Sequence, residues 1–448
     1  MSLRNYFATY RPHYASIIRL GIPLLLGQLG VIVTGYADTI MVGNYNTDAL
    51  ASASFANSVI AFVLMLSIGF SYGLTPLVGA LYATASTNRL AATVRAGVAA
   101  NVAYVALWCV PLLAVYVWLD RLGLPTHLLP VIRPYFMLLL VSLLPLAAVN
   151  ALRQFTDAIN KPKVSMYILV GGNALNIALN YALIYGRLGM PELGLTGAGI
   201  ATLASRVAML VAYVAYLLCH PRYRCYRAQL LHAPLHGALL KSIVATSLPI
   251  SLQIGMETGI FTAASVFAGW LGTNTLAAVQ VLTTIGQVGF MVYYSLGAAA
   301  SIKIANHFGV GDTLRIRQVA HAGYMIILAS AVAASAVFCA GGEFLASLFT
   351  NDAAVVALVS SQIGLLILYQ FGDATQIAFS NGLRGIAHVK PIMGIAFVSY
   401  IAVGIPVMYT LCFPFGLGIS GIYLAHTISL LTAGLWFRRT FRRHIAQL

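Results

Sequence analysis

The chain has 448 residues, of which 60% are hydrophobic and only 8% charged. A soluble protein carries roughly 25% charged residues, and one of this size could not cover its surface with so few. A cytosolic enzyme, a disordered tail protein and a nucleic-acid-binding domain are therefore excluded. Twenty-five basic residues stand against 10 acidic ones, a formal net charge of +15, so the positions of the charges must say what the excess is for.

Residues 1–14 carry Arg4 and Arg11. The apolar stretch that follows is too long for a signal-peptide core and lacks a small-residue cleavage site, so it reads as a retained first helix. A membrane helix needs about 20 mostly apolar residues. Twelve stretches qualify: 15–43, 49–83, 90–118, 128–150, 162–185, 196–219, 238–270, 275–306, 316–339, 353–383, 391–412 and 419–437. Turn residues mark several boundaries, among them Gly43-Asn44, Lys161-Pro162, Lys390-Pro391 and Phe413-Pro414. Spans one, two, seven, eight and ten read long, which implies tilt or kinks, and Pro23, Pro76 and Pro249 are the candidate kink sites. The expected domains are a cytoplasmic N-terminus (1–14), an N-lobe of six spans (15–219), a cytoplasmic linker (220–237), a C-lobe of six spans (238–437) and a basic tail (438–448).

The charges orient these spans. One side would hold both termini and the even-to-odd loops, with 21 of the 25 basic residues. Arg384 counts there, in the loop after span ten. The other side holds Arg121, Arg133 and Arg187, while Arg206 falls inside span six. This is a positive-inside pattern, so both termini are expected in the cytoplasm. Arg438, Arg439, Arg442 and Arg443 at the end read as a topology anchor that could also meet anionic lipid.

The five cysteines, Cys109, Cys219, Cys225, Cys339 and Cys412, are odd in number and show neither paired nor metal-ligand spacing, so reduced thiols are expected. His232 and His236 are spaced i,i+4 but sit in a basic loop without an acidic partner, which does not make a metal site.

The two halves echo each other. Ile22-Pro23, Gly43 and Leu50-Ala51 return as Leu248-Pro249, Gly269 and Leu276-Ala277, each 226 residues on. Gly194-Leu195 and Gly199-Ile200 return as Gly416-Leu417 and Gly421-Ile422. Each half holds six spans, so both enter from the same side. A parallel repeat of this kind suits alternating access, with Pro23 and Pro249 as hinge candidates.

Seven acids fall in loops, including Asp157 and Asp312 on the cytoplasmic side. Three remain inside spans: Asp38, Glu257 and Asp373. A carboxylate at a helix centre costs about 2.5–3.5 kcal/mol even on a lenient insertion scale, and such residues persist where they bind something. Polar neighbours accompany them. Tyr369 and Asp373, and Gln253 and Glu257, are i,i+4 pairs. Gln280, Gln287 and Tyr294 form a stripe at spacing seven on span eight, and Asn173, Asn176 and Asn180 share a face of span five. Gluing helices together is the competing role for each amide alone. Proton, sodium ion and organic cation would all compete for these carboxylates, and that competition is itself an antiport mechanism. Sodium would also want neutral oxygens, and aromatic faces attract organic cations.

Gly21-Ile22-Pro23-Leu24 through Gln28, followed by Ala37-Asp38-Thr39-Ile40-Met41-Val42-Gly43, resembles the first helix of the multidrug and toxic compound extrusion (MATE) family, NorM-type branch. Asn173 to Asn180 with Gly197-Ala198-Gly199-Ile200-Ala201-Thr202 resembles spans five and six of that family. Glu257, with Asp373 and Tyr369, resembles its second-lobe cation site. The resemblance covers essentially the whole chain. It implies an all-α integral membrane fold, with twelve transmembrane helices in two pseudo-symmetric six-helix lobes, V-shaped around a central cavity. It also implies a multi-pass protein of the bacterial inner membrane, acting as a monomer and exporting cationic amphipathic drugs against Na⁺ and/or H⁺, with no other cofactor. By carry-over, Glu257, Asp373 and Tyr369 form a C-lobe cation site. Asp38, Asn176, Asn180 and Thr202 form an N-lobe cation or protonation site. Gln28, Asn173, Gln253, Gln280, Gln287 and Tyr294 are candidates to line the cavity. Members that rely on a first-lobe proton site carry a second acid on span five, where this chain has Asn, which favours sodium or mixed coupling.

Two other readings compete. A lipid-linked precursor flippase of the same superfamily calls for a basic cavity, whereas these spans hold three acids and Arg206. An integral-membrane lipid-modifying enzyme calls for clustered Asp motifs or a His–acid pair at an interface, and His307 with Asp312 is the nearest approach to one.

Overall fold

The computed structural model describes residues 3–223 and 234–447; Cys225, His232 and most of the linker 220–237 lie outside the described residues. Every regular element among the described residues is helical. In lipid a backbone polar group finds no water, so a spanning segment must satisfy its hydrogen bonds internally, which helices do.

The first half runs α1 (Leu3–Tyr45), α2 (Thr47–Ser71), α3 (Leu74–Ala83), α4 (Thr87–Val117), α5 (Leu129–Ala158), α6 (Pro162–Ile184) and α7 (Gly194–Cys219). The second half runs α8 (Gly237–Leu271), α9 (Thr273–Gly309), α10 (Thr313–Ser347), α11 (Ala353–Gly385), α12 (Lys390–Ala396), a π-helical stretch Phe397–Gly404, α13 (Ile405–Cys412) and α14 (Ile419–Gln447). Twelve stretches among the described residues are long and apolar enough to cross a membrane. Their outward residues are apolar as well: Leu107, Val211 and Trp270 are 67%, 60% and 65% exposed. Such surface is unfavourable in water and at home in hydrocarbon.

Local chemistry sets the helix ends. Asn46 accepts from the Asp48 N–H at 2.8 Å, Asp312 from the Arg315 N–H at 3.0 Å and Asp352 from the Ala354 N–H at 2.8 Å, so each starts a helix by satisfying a free donor. Pro162 sits in the first turn of α6, where its missing N–H removes nothing.

The prolines expected to kink behave differently from one another. α1 continues as a helix through Pro23, and α8 through Pro249. Near Pro76 the chain instead breaks at Tyr72-Gly73, and Pro76 falls in the first turn of α3. Gly73 is required there: a Cβ would lie 2.5 Å from the Cα of Ser247 and 2.2 Å from its Oγ. The π-helical stretch precedes Pro406, whose ring cannot accept the ordinary spacing to the carbonyl four residues back.

The chain divides into two compact units, Leu26–Ser251 and Met1–Leu25 with Leu252–Leu448. These bounds differ from the lobes 15–219 and 238–437 read from the loops. The reason is packing by the first part of each half's leading helix. Gly21 approaches Leu296, and His13 lies 3.2 Å from Gln318, all in one unit. In the other unit, Ile243 joins a core built from α2 to α7, and Ser251 donates to the Leu66 carbonyl at 2.8 Å. Both boundaries fall two residues after the repeated prolines, Pro23 and Pro249.

Two charges also move from their expected places. Arg384 is not a loop cation: it lies inside α11 and is 3% exposed. Asp157 is not a loop acid: it closes α5, is 3% exposed, accepts from Ser165 at 2.6 Å and pairs with Arg153 at 3.6 Å. The helices run further than the apolar windows did, because a charge with buried partners, Arg153 and Ser165 for Asp157 and Gln253 for Arg384, need not end a span.

Candidate functional site

Two polar clusters lie inside the spans, one in each unit. The unit Leu26–Ser251 holds the cluster around Asp38. Asp38 is half-buried on α1, and its Oδ1 accepts a hydrogen bond from the Asn180 Nδ2 of α6. Asn180 Nδ2 also donates to Asn176 Oδ1 at 3.2 Å, and Asn176 Nδ2 donates to Ser205 Oγ on α7 at 3.4 Å. The i,i+4 spacing on α6 makes this relay, since residues one turn apart share a face. The Thr202 hydroxyl turns back to the Ala198 carbonyl at 3.0 Å, so Thr202 meets the relay only through its own carbonyl, which accepts from Ser205 at 3.0 Å. Asn173 is buried and packs against Gly30, where a Cβ would meet its Nδ2 at 3.0 Å. Gln28 is half-buried on α1.

Sequence reasoning missed two members of this cluster. Arg206 on α7 donates to Ser142 Oγ at 2.6 Å, and its charge acts on Asp38. Tyr135 on α5 donates to Asn57 Oδ1 at 3.4 Å and also interacts with Asp38. An arginine inside an apolar span was the visible signal for the first; nothing in the pattern marked the second.

The other unit holds the cluster around Glu257 and Asp373. Glu257 Oε2 on α8 accepts from Gln253 Nε2 at 3.2 Å and from Gln376 Nε2 of α11 at 3.3 Å. Gln376 Nε2 also donates to the Tyr400 hydroxyl at 2.8 Å, and Arg384 donates to Gln253 Oε1 at 2.7 Å. The charges of Arg384 and Asp373 both act on or through Glu257. Asp373 is 2% exposed and Tyr369 8%. Asp373 Oδ2 and Gln376 Oε1 have no hydrogen-bond partner. His426, Phe261 and Tyr423 close one side: His426 stacks on Phe261 at 4.8 Å and meets Tyr369 edge-on at 6.0 Å.

One helix explains most of this cluster. Tyr369, Asp373, Gln376, Ser380 and Arg384 step along a single face of α11 at i, i+4, i+7, i+11 and i+15. The sequence reading stopped at Asp373 because Arg384 counted as a loop charge, which hid the rest of the face. The stripe on α9 divides between exposed and half-buried positions. Gln280 and Gln287 are exposed and Tyr294 is half-buried, whereas neighbouring Tyr293 is fully buried and donates to Gln370 of α11.

The chemistry follows from counting charges. Glu257 and Asp373 bring two carboxylates, and Arg384 brings one compensating cation. With both carboxylates ionised, one negative charge would be left over, beside Asp373 Oδ2 and Gln376 Oε1, which lack donors. Such a site suits a small monovalent cation, whether a proton or a hard metal ion that prefers oxygen ligands.

The MatE family model matches residues 23–182 and again 249–410. The two matched segments begin at Pro23 and Pro249, the offset of the internal repeat. Over 98% of this chain and 96% of the relative, the sequence is 29% identical to a probable multidrug resistance protein NorM from Mannheimia succiniciproducens. It is also 29% identical to the multidrug resistance protein PmpM of Pseudomonas aeruginosa, over 90% of this chain and 84% of that one. Among solved structures, an outward-facing multidrug resistance MATE family transporter of the MOP superfamily aligns with a TM-score of 0.86 at 19% identity. That alignment covers 97% of this chain and 96% of the other.

Proposed function

Because the chain belongs to the MatE family, we propose that it is a secondary active multidrug efflux antiporter of the NorM type, not an enzyme. It exports cationic amphipathic compounds from the bacterial cytoplasm in exchange for Na⁺ and/or H⁺. The observation that carries the coupling is the placing of two buried carboxylates, Glu257 and Asp373, with a single cation, Arg384, and with Asp373 Oδ2 buried and unpartnered. A buried carboxylate oxygen without a donor is a standing cost that a bound cation would relieve.

In this reading the C-lobe residues Glu257, Asp373 and Tyr369, helped by Gln376 and Arg384, take the coupling ion. Asp38 with Asn176 and Asn180 forms the N-lobe cation or protonation site, where Arg206 competes with any bound cation. The chain path supports Pro23 and Pro249 as bending points, since α1 and α8 each leave one compact unit for the other just after them. The excess of basic residues in one set of loops supports cytoplasmic termini in the inner membrane. The exposed Gln280 and Gln287 remain candidates for contact with a passing drug.

The test is ethidium efflux from proteoliposomes under separately imposed Na⁺ and pH gradients. Efflux should follow at least one gradient and be lost in Glu257→Gln and in Asp373→Asn. Normal coupled efflux in both variants would sink the ion-site assignment. A flippase would want a basic pocket in the spans, and the acids around Asp373 argue against it.

A further inference from the structure

The unit containing residues 252–448 has a second polar feature, whose floor reaches Phe379, about 9 Å along α11 from Asp373. A cavity of about 450 Å³ opens between the start of α10 and the end of α14, against α11. Three arginines line it, Arg317, Arg438 and Arg442, and among the described residues no carboxylate side chain does. Its floor is apolar and aromatic: Tyr324, Phe379 and Phe441. Arg438 lies over the rings of Tyr324 and Phe379 at 6.0 and 5.9 Å, and its buried Nε has no hydrogen-bond partner. Arg317 donates to the Ile445 carbonyl at 3.2 Å, which holds the end of α14 against α10.

The position is that of a lipid headgroup. Arg438 lies 19 residues beyond Ile419, about 28 Å along the helix at 1.5 Å per residue. That is close to the ~30 Å thickness of a hydrocarbon core. The fold itself does not demand arginines there. By the repeat offset between Gly194 and Gly416, Arg438 and Arg442 correspond to Tyr216 of α7 and to His220 just past its end. Those two rings pack on each other at 5.2 Å and fill the equivalent end with aromatic contacts. Nor is the whole tail involved: Arg442 is as exposed as Arg439 and Arg443, but it lines the cavity and they do not.

We propose that this cavity binds the phosphate of an anionic lipid headgroup, with Arg317, Arg438 and Arg442 taking the phosphate oxygens and the aromatic floor taking the glycerol and upper acyl chain. Guanidinium forks match phosphate oxygens in charge and geometry. The depth and the apolar floor favour a lipid phosphate over a free one. The inference goes beyond the transport reading and stands or falls separately from it.

The test is native mass spectrometry of the full-length protein in detergent, titrated with phosphatidylglycerol, phosphatidylcholine and, in a third arm, sodium phosphate. Wild type should hold one phosphatidylglycerol in preference to phosphatidylcholine. Arg438→Gln with Arg442→Gln should weaken that binding about 25-fold, at about five-fold per arginine. Arg439→Gln with Arg443→Gln, the same change in charge, should leave it unaltered. Arg442→Gln alone keeps Arg438 over Tyr324 and Phe379 and guards against misfolding of the double variant; it should weaken binding about five-fold. Equal loss from both pairs would mean diffuse attraction to the tail and would overturn the site. Equal affinity for free phosphate, or no effect of Arg442→Gln, would overturn the lipid assignment.

Discussion

Replacing Asp373 with alanine should make the protein more stable and useless at the same time. Asp373 is 2% exposed, its Oδ2 has no donor, and the Glu257 carboxylate acts on it rather than a cation. A charged residue in a helix centre costs about 2.5–3.5 kcal/mol on the insertion scale. Deleting the carboxylate removes that cost but leaves a cavity. If ~30 Å³ stays empty at ~24 cal/mol per Å³, the cavity takes back about 0.7 kcal/mol. The net gain is about 2 kcal/mol. Unfolding entropy scales with length, so for a chain of this size it raises the melting temperature by roughly 2 °C. The gain should appear only in sodium-free buffer at alkaline pH. With a coupling ion at a hundredfold excess over its Kd, wild type alone gains about 2.7 kcal/mol. The order of the two melting curves should therefore reverse. Thermal melts of purified protein in choline-based and sodium-loaded buffers, and across pH, would read this directly. If Asp373→Ala melts below wild type without ions, or keeps the full ion-induced shift, Asp373 is a structural residue and the reasoning fails.

The same cluster yields a second expectation. Arg384→Met removes the cation that acts on Glu257 and should destabilise by about 3–5 kcal/mol, as broken buried pairs do. Adding Glu257→Gln should recover most of it in a double-mutant cycle, and simple additivity would refute the coupling. Asp38→Asn keeps an acceptor for Asn180, so stability should fall by less than about 1.5 kcal/mol. Ethidium efflux by this variant should nevertheless drop at least about tenfold, a rate difference near 1.4 kcal/mol; an unchanged rate would make Asp38 a packing residue. Gly73→Ala drives a Cβ to 2.5 Å from the Ser247 Cα. Backbone cannot swing aside as a side chain can, so a loss of about 1–3 kcal/mol or more is expected. Gly171→Ala, which meets nothing within 4 Å, is the control and should stabilise by up to about 1 kcal/mol.

Hydropathy is a property of consecutive residues, so the spans were legible along the chain: twelve stretches exist among the described residues, with most ends within about three residues of expectation, although the first begins at Thr9 and the fourth, ninth and twelfth run on to Ala158, Ser347 and Gln447. The 226-residue echo was legible for the same reason, and the family model begins its two matches on the same two prolines. Membrane acids stand out against an apolar background, so Asp38, Glu257 and Asp373 could be singled out without coordinates. Arg384 and Asp157 could not. Each sits at the end of an apolar window, where only the neighbouring helix decides whether a charge is wetted or buried.

The amino-acid order by itself determined the class of the protein, its helices and the rare acids within them, because a charge in hydrocarbon is costly wherever it points. Tertiary structure decided which partners those acids have: the Gln253–Arg384 link, the Tyr293–Gln370 bond beside the exposed glutamine stripe, the Asn180 donor to Asp38, and the absence of a donor for Asp373 Oδ2. It also moved the boundary between the two compact units from the basic linker to the interior of α1 and α8. Side-chain hydrogen bonds and helix packing depend on residues hundreds of positions apart, and no local pattern encodes which face of one helix meets which face of another. The +15 excess that opened the question therefore has two parts. One marks an orientation and could be read from loops; the other, in Arg206, Arg384 and the arginines around the cavity between α10 and α14, acquired its meaning only when the helices came together.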